Sequence, residues 1–160
     1  MVFWFAGPAW LLVWRVFRSP AVDYRLVVVG ALLPVGDRLV GHATPLHTVT
    51  GAVAGLALVM VLARGRRLAQ RRWLGVPIGM FCHLLLDATW SDTDLFWWPF
   101  PGTALSASEV PETTWPVGVV VALEVVGLLV LIGLWIRLGL TKPEHRERFR
   151  RTGHLDRELA

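Results

Sequence analysis

Long apolar runs separated by short charged stretches organise this chain. Residues 116–136 form the longest run and carry one charge, Glu124. Residues 46–63 hold no formal charge, although His47 lies near their start. Residues 74–90 hold His83 and Asp87 in their second half. Each of these three is long enough, or nearly so, to cross a hydrocarbon core of about 30 Å as a helix. Two shorter runs precede them, 2–14 and 26–40, the second interrupted by Asp37 and Arg38. At helical rise each spans roughly 20 Å, so tilted, re-entrant or partial insertion is expected there. The pattern predicts an all-α fold, a polytopic membrane bundle of about five helices.

Composition supports that reading. Hydrophobic residues make up 54% of the 160 positions and charged residues 18%, with a mean hydropathy of +0.53. A soluble domain of this size would have too little polar surface to cover such apolar content. Nine Trp fit a chain that meets two membrane interfaces. The lone cysteine, Cys82, excludes an internal disulfide and a thiolate cluster.

The net charge of +4 raises nucleic acid as a partner, but the placement of the charge answers differently. With five alternating crossings, all but Arg38 of the 16 Lys and Arg residues fall on one side. The positive-inside rule makes that side the cytoplasm. No basic region precedes the first apolar run, so an uncleaved first segment is expected, with its N-terminus outside. Residues 1–140 read as the membrane-embedded domain and 141–160 as a charged, solvated cytoplasmic tail. The expected location is a bacterial inner membrane, with the lipid bilayer as partner and nucleic acid set aside. The external loop, 91–114, contains Trp97, Trp98 and Phe100, an aromatic patch suited to the headgroup layer.

Ionisable residues inside apolar spans are costly and face a protein interior or water. Asp37, His47, His83, Asp87 and Glu124 are such residues. Gly75, Gly79, His83 and Asp87 recur every four positions and so share one helix face, as do His47, Gly51 and Gly55. Packing these two glycine faces together in antiparallel helices would join His47, His83 and Asp87. Asp37 and His42 would enter from the same end, and Glu124 would lie at the level of His83. Imidazoles with carboxylates can hold a zinc-type ion with an open position. Asp87 could instead orient an imidazole bound elsewhere. A hydrogen-bond network that only joins helices is the alternative, and it makes the chain a non-catalytic membrane protein. A proton pathway would need polar residues continuing to the cytoplasmic side, where these segments have almost none.

The run His83-Leu84-Leu85-Leu86-Asp87, followed by Trp90 and by Trp98-Pro99-Phe100, resembles a bacterial membrane family. This is the LexA-binding, inner-membrane-associated YdjM-like family, described as metal-dependent hydrolases. Pro34-Val35-Gly36-Asp37 resembles its early Pro-Asp-x-Asp element, with Val35 at the first aspartate. Pro45-Leu46-His47-Thr48 resembles its His-Ser element, with Thr48 for serine. The resemblance covers residues 1–102. It implies a membrane-bound hydrolase near the external face, with a divalent metal, zinc as first choice. Asp37, His47, His83 and Asp87 would be the metal ligands, and Asp37 and Asp87 the catalytic carboxylates. The apolar setting suits an amphiphilic substrate.

Overall fold

A computed structural model describes residues 1–20, 22–102, 105 and 114–155. All regular structure among them is helical: α1 (Phe3–Phe17), α2 (Tyr24–Leu32), α3 (Asp37–Val40), α4 (Val49–Leu62), α5 (Arg67–Trp73), α6 (Gly75–Leu86), α7 (Thr93–Phe96), α8 (Val117–Arg137) and α9 (Pro143–Thr152), with short 3-10 turns between some of them. Local chemistry sets several starts. The Asp23 carboxylate accepts from the Arg25 amide to open α2, and the Thr48 hydroxyl accepts from the Gly51 amide to open α4. Gly153, at φ 73°, closes α9 in the left-handed conformation.

The all-α expectation holds. Of the five apolar runs, only the last gives a helix long and apolar enough to cross a membrane, the 21-residue α8. Helices α1 and α4, of 15 and 14 residues, are apolar but shorter. The run 26–40 is divided between α2 and α3 by a turn at Pro34–Gly36.

Two parallel pairs build the bundle. Helices α1 and α8 touch backbone to backbone at Gly7 and Gly127, and each glycine leaves no space for a Cβ. The first turn of α1 meets α8 two turns below its start, where the Glu124 carboxylate accepts the Val2 and Phe3 amides. Their last turns meet where the Arg137 guanidinium lies 5.3 Å from the Trp14 ring centroid. Helices α2 and α6 run in the same sense. Gly75 faces Asp23 and Leu26, Gly79 faces Val27 and Ala31, and His83 reaches Ala31. Helix α4 runs against α6, with Gly55 opposite Pro77 and Met80.

This corrects one expectation. The Gly75–Gly79 stripe receives α2 rather than the glycine face of α4. Gly51 is consumed locally, because the Pro45 carbonyl occupies the space its Cβ would need.

The links sort to two ends. At one end, fully buried Asp23 binds Arg25 at 2.9 Å and Arg72 at 3.3 Å, which joins the α1–α2 link to α5. Helix α9 docks there too. Phe149 stacks on Trp10 with centroids 5.2 Å apart, and the Tyr24 amide donates to the Gly153 carbonyl. Through residue 155 the tail is therefore packed onto the bundle; 156–160 lie outside the described residues.

Burial alone would raise the pKa of Asp23. The hydrogen bonds and charge of Arg25, with the charge of Arg72, outweigh it and hold the carboxyl below its ordinary range. A folded-state pKa below the unfolded one gives stability that is present above the ordinary range and lost as pH falls through the folded value. Asp23→Ala should cost about 2 kcal/mol at pH 7, since Arg25 and Arg72 can still reach water. The difference from wild type should shrink as pH falls through the lowered folded-state value. Thermal unfolding in neutral detergent against pH checks this; a pH-independent difference would contradict the ion-pair account.

Candidate metal centre

The end of the bundle opposite Asp23 collects the polar residues of the apolar runs. Gly41, at φ 82°, ends α3 and turns the chain back, so that residues 42–47 fold against Asp37. The Asp37 carboxylate then accepts the Thr44 amide at 2.7 Å and the Thr44 hydroxyl at 2.8 Å. It also accepts from His47 Nδ1 at 2.7 Å. From α6, His83 Nδ1 donates to the Ala31 carbonyl of α2 at 2.8 Å. The close approach allowed by Gly30 and Gly79 brings that carbonyl within reach.

These partners decide where the ring hydrogens sit. A carbonyl can only accept, so neutral His83 carries its hydrogen on Nδ1. An ionised Asp37 likewise holds the hydrogen of His47 on Nδ1. With both rings neutral, both Nε2 atoms present lone pairs, and they face each other at 3.3 Å. Asp87 Oδ2 lies 3.8 Å from His47 Nε2, and the Thr89 hydroxyl donates to that oxygen at 3.3 Å. His47, His83 and Asp87 are buried, with ligand atoms all within 4.8 Å of one another. Two lone pairs beside a carboxylate, away from water, repel unless a positive charge joins them.

The spacing fits a metal ion. Two imidazole nitrogens at about 2.0–2.1 Å from a tetrahedral zinc stand about 3.3 Å apart. Asp87 needs only a small side-chain adjustment to complete a three-ligand set, which leaves a fourth position open. The bonds to Asp37 and Ala31 occupy the far ring nitrogens, as partners that orient metal-binding histidines do.

The expected residues divide accordingly. His47, His83 and Asp87 converge. Asp37 touches the far side of the His47 ring, outside the three-residue cluster. His42 bonds to the Ala43 carbonyl. Glu124 is spent on the first turn of α1. Two contributors escaped sequence reasoning. Phe5 covers the His83 ring with centroids 4.0 Å apart, and the Ala31 carbonyl fixes its tautomer. The spacing of Gly30 was the available signal for the second; nothing singled out Phe5.

The aromatic patch adjoins this end. The Thr50 hydroxyl, one turn beyond His47, donates to the Trp98 carbonyl at 2.6 Å. Trp90, Trp97 and Phe100 are exposed. Much of the rest of the loop 91–114 lies outside the described residues. No family model, curated protein or solved structure matches the chain.

Proposed function

We propose that this chain is a multi-pass inner-membrane protein with a divalent metal centre at His47, His83 and Asp87, acting as a metal-dependent hydrolase of the YdjM-like kind. The observation that carries the metal reading is the pair of Nε2 atoms facing at 3.3 Å, each with its Nδ1 already committed. The motifs around Asp37, His47 and His83–Asp87 support the family and the hydrolytic class.

Membrane insertion is supported by α8, of whose most apolar window only 11% is buried. A core helix of a soluble protein would be covered. Exposed Val and Leu side chains on α1, α2, α4 and α6 extend the apolar surface. The basic links share one end and the His/Asp residues the other, in keeping with an external site and a cytoplasmic C-terminal side.

A zinc ion held here would supply a Lewis acid and make water a nucleophile near neutral pH. The chain's own residues do the positioning. Asp37 and Ala31 aim the imidazoles, Thr89 steadies Asp87, and Phe5 excludes water from the His83 ring. With one Asp87 oxygen on the metal, the other would be the acceptor for a proton from the bound water. The exposed aromatic patch beside His47 suits the apolar part of an amphiphilic ester.

Complete burial of the three groups, with Phe5 over His83, favours a second reading. The cluster would then share a proton and only lock α4 to α6. Metal content of detergent-purified protein separates the two. The metal reading expects near-stoichiometric zinc, iron or manganese in wild type and none in folded His83→Ala or Asp87→Ala. Wild type that stays metal-free after metal is added back would overturn it.

A further inference from the structure

The end of the bundle opposite the metal centre carries more positive charge than its carboxylates answer. Arg15, Arg18, Arg64, Arg66, Arg67 and Arg71 are exposed, and none forms an ion pair among the described residues. Asp23 is taken up by Arg25 and Arg72, and Glu147 by Arg151 at 2.7 Å. The contact between Asp23 and Arg72 fixes α5 against the bundle. Arg67 and Arg71, four apart, therefore project from one face of a held helix.

Apolar side chains are interleaved with these arginines. Leu68 is 84% exposed and Trp73 50%, and Val16, Phe17 and Leu62 are exposed beside the neighbouring arginines. We propose that this end is a docking surface for anionic phospholipid. Guanidinium groups of α5 and of the α4–α5 link grip headgroup phosphates, while Leu68 and Trp73 sit at the acyl boundary. Planar guanidinium matches phosphate with paired hydrogen bonds. A nucleic acid would satisfy the charge but leave Leu68 and its neighbours in water. A lipid satisfies both. The inference rests on the membrane reading and is independent of the metal.

Carbonate extraction of membranes comes first. A chain released as soluble protein would overturn the membrane reading and this proposal with it. Retained protein is then purified in neutral detergent and titrated with phosphatidylglycerol or phosphatidylcholine, with binding read by native mass spectrometry. Wild type should bind phosphatidylglycerol at least about 25-fold more tightly, and less so as salt rises. Near an anionic surface each arginine is worth about a five-fold preference, so Arg67→Gln/Arg71→Gln should lose roughly 25-fold. Arg64→Gln/Arg66→Gln serves as the second variant, and thermal unfolding confirms that each is folded. Equal affinity of wild type for the two lipids would overturn the proposal while leaving membrane insertion intact. So would folded variants that keep the preference, or displacement of phosphatidylglycerol by single-stranded DNA of equal charge.

Discussion

Gly79→Leu is expected to leave no folded protein, and Gly79→Ala to cost about 3 kcal/mol. A Cβ at Gly79 would sit inside the van der Waals shell of the Val27 carbonyl oxygen, 2.7 Å from the Ala31 nitrogen and 2.9 Å from the Gly30 carbonyl carbon. All three are backbone atoms of α2, so no side chain can swing aside. Relief requires α2 to move away from α6. That movement would also pull the Ala31 carbonyl from His83 Nδ1, now at 2.8 Å. Gly79→Ala should therefore lose metal affinity along with stability. Gly118 and Gly133 supply the control, since a Cβ there meets nothing within 4 Å. Alanine at either should be neutral or stabilise by up to about 1 kcal/mol, because alanine favours the helix. Thermal unfolding in neutral detergent reads the series. A Gly79→Ala protein as stable as Gly133→Ala would show that α2 and α6 do not pack this closely.

The second large effect concerns Asp37. Asp37→Ala removes the acceptor that holds His47 with Nε2 toward His83 and also strips Thr44 of two bonds. Loss of such an orienting partner commonly weakens metal binding about 10- to 100-fold. Asp37→Asn keeps an acceptor oxygen and gives up the charge, so it should fall between wild type and alanine. Competition with a chelator of known affinity measures the series on folded protein. If Asp37→Ala instead abolishes binding as completely as His83→Ala, Asp37 is itself a ligand and the cluster rearranges on metal entry.

The convergence of His47, His83 and Asp87 was legible in sequence. The antiparallel pairing of α4 with α6 holds and brings the three together, but His47 reaches the cluster from the turn before α4, past extended Thr48, and not through a shared glycine face. The role of Asp37 was hidden because its contact with His47 depends on the turn at Gly41, where spacing carries no direction. Glu124 shows the limit of arguing from depth: it lies on α8, whose polar side turns to the first amides of α1. The glycine stripe on α6 marked a close approach correctly, yet small residues do not name the helix that approaches. The tail is helical over Pro143–Thr152 and largely exposed, as its charge implied; its docking through Phe149, a lone apolar residue among arginines, was not foreseen. The all-α class was plain from the apolar runs. How far each run stays helical was not, since the turn at Pro34, extended Thr48 and left-handed Ala88 interrupt them.

The pairing of Gly7 with Gly127 also bears on how the chain is made. Helix α1 leaves the ribosome first, and α8 is the last of the apolar helices to follow. At about 5–20 residues per second, α1 waits on the order of ten seconds for the surface that matches its own glycine. Helices α2, α4 and α6, which carry the histidines and their partners, are all synthesised within that interval. The His/Asp cluster can therefore assemble from these helices before α8 reaches the glycine face of α1.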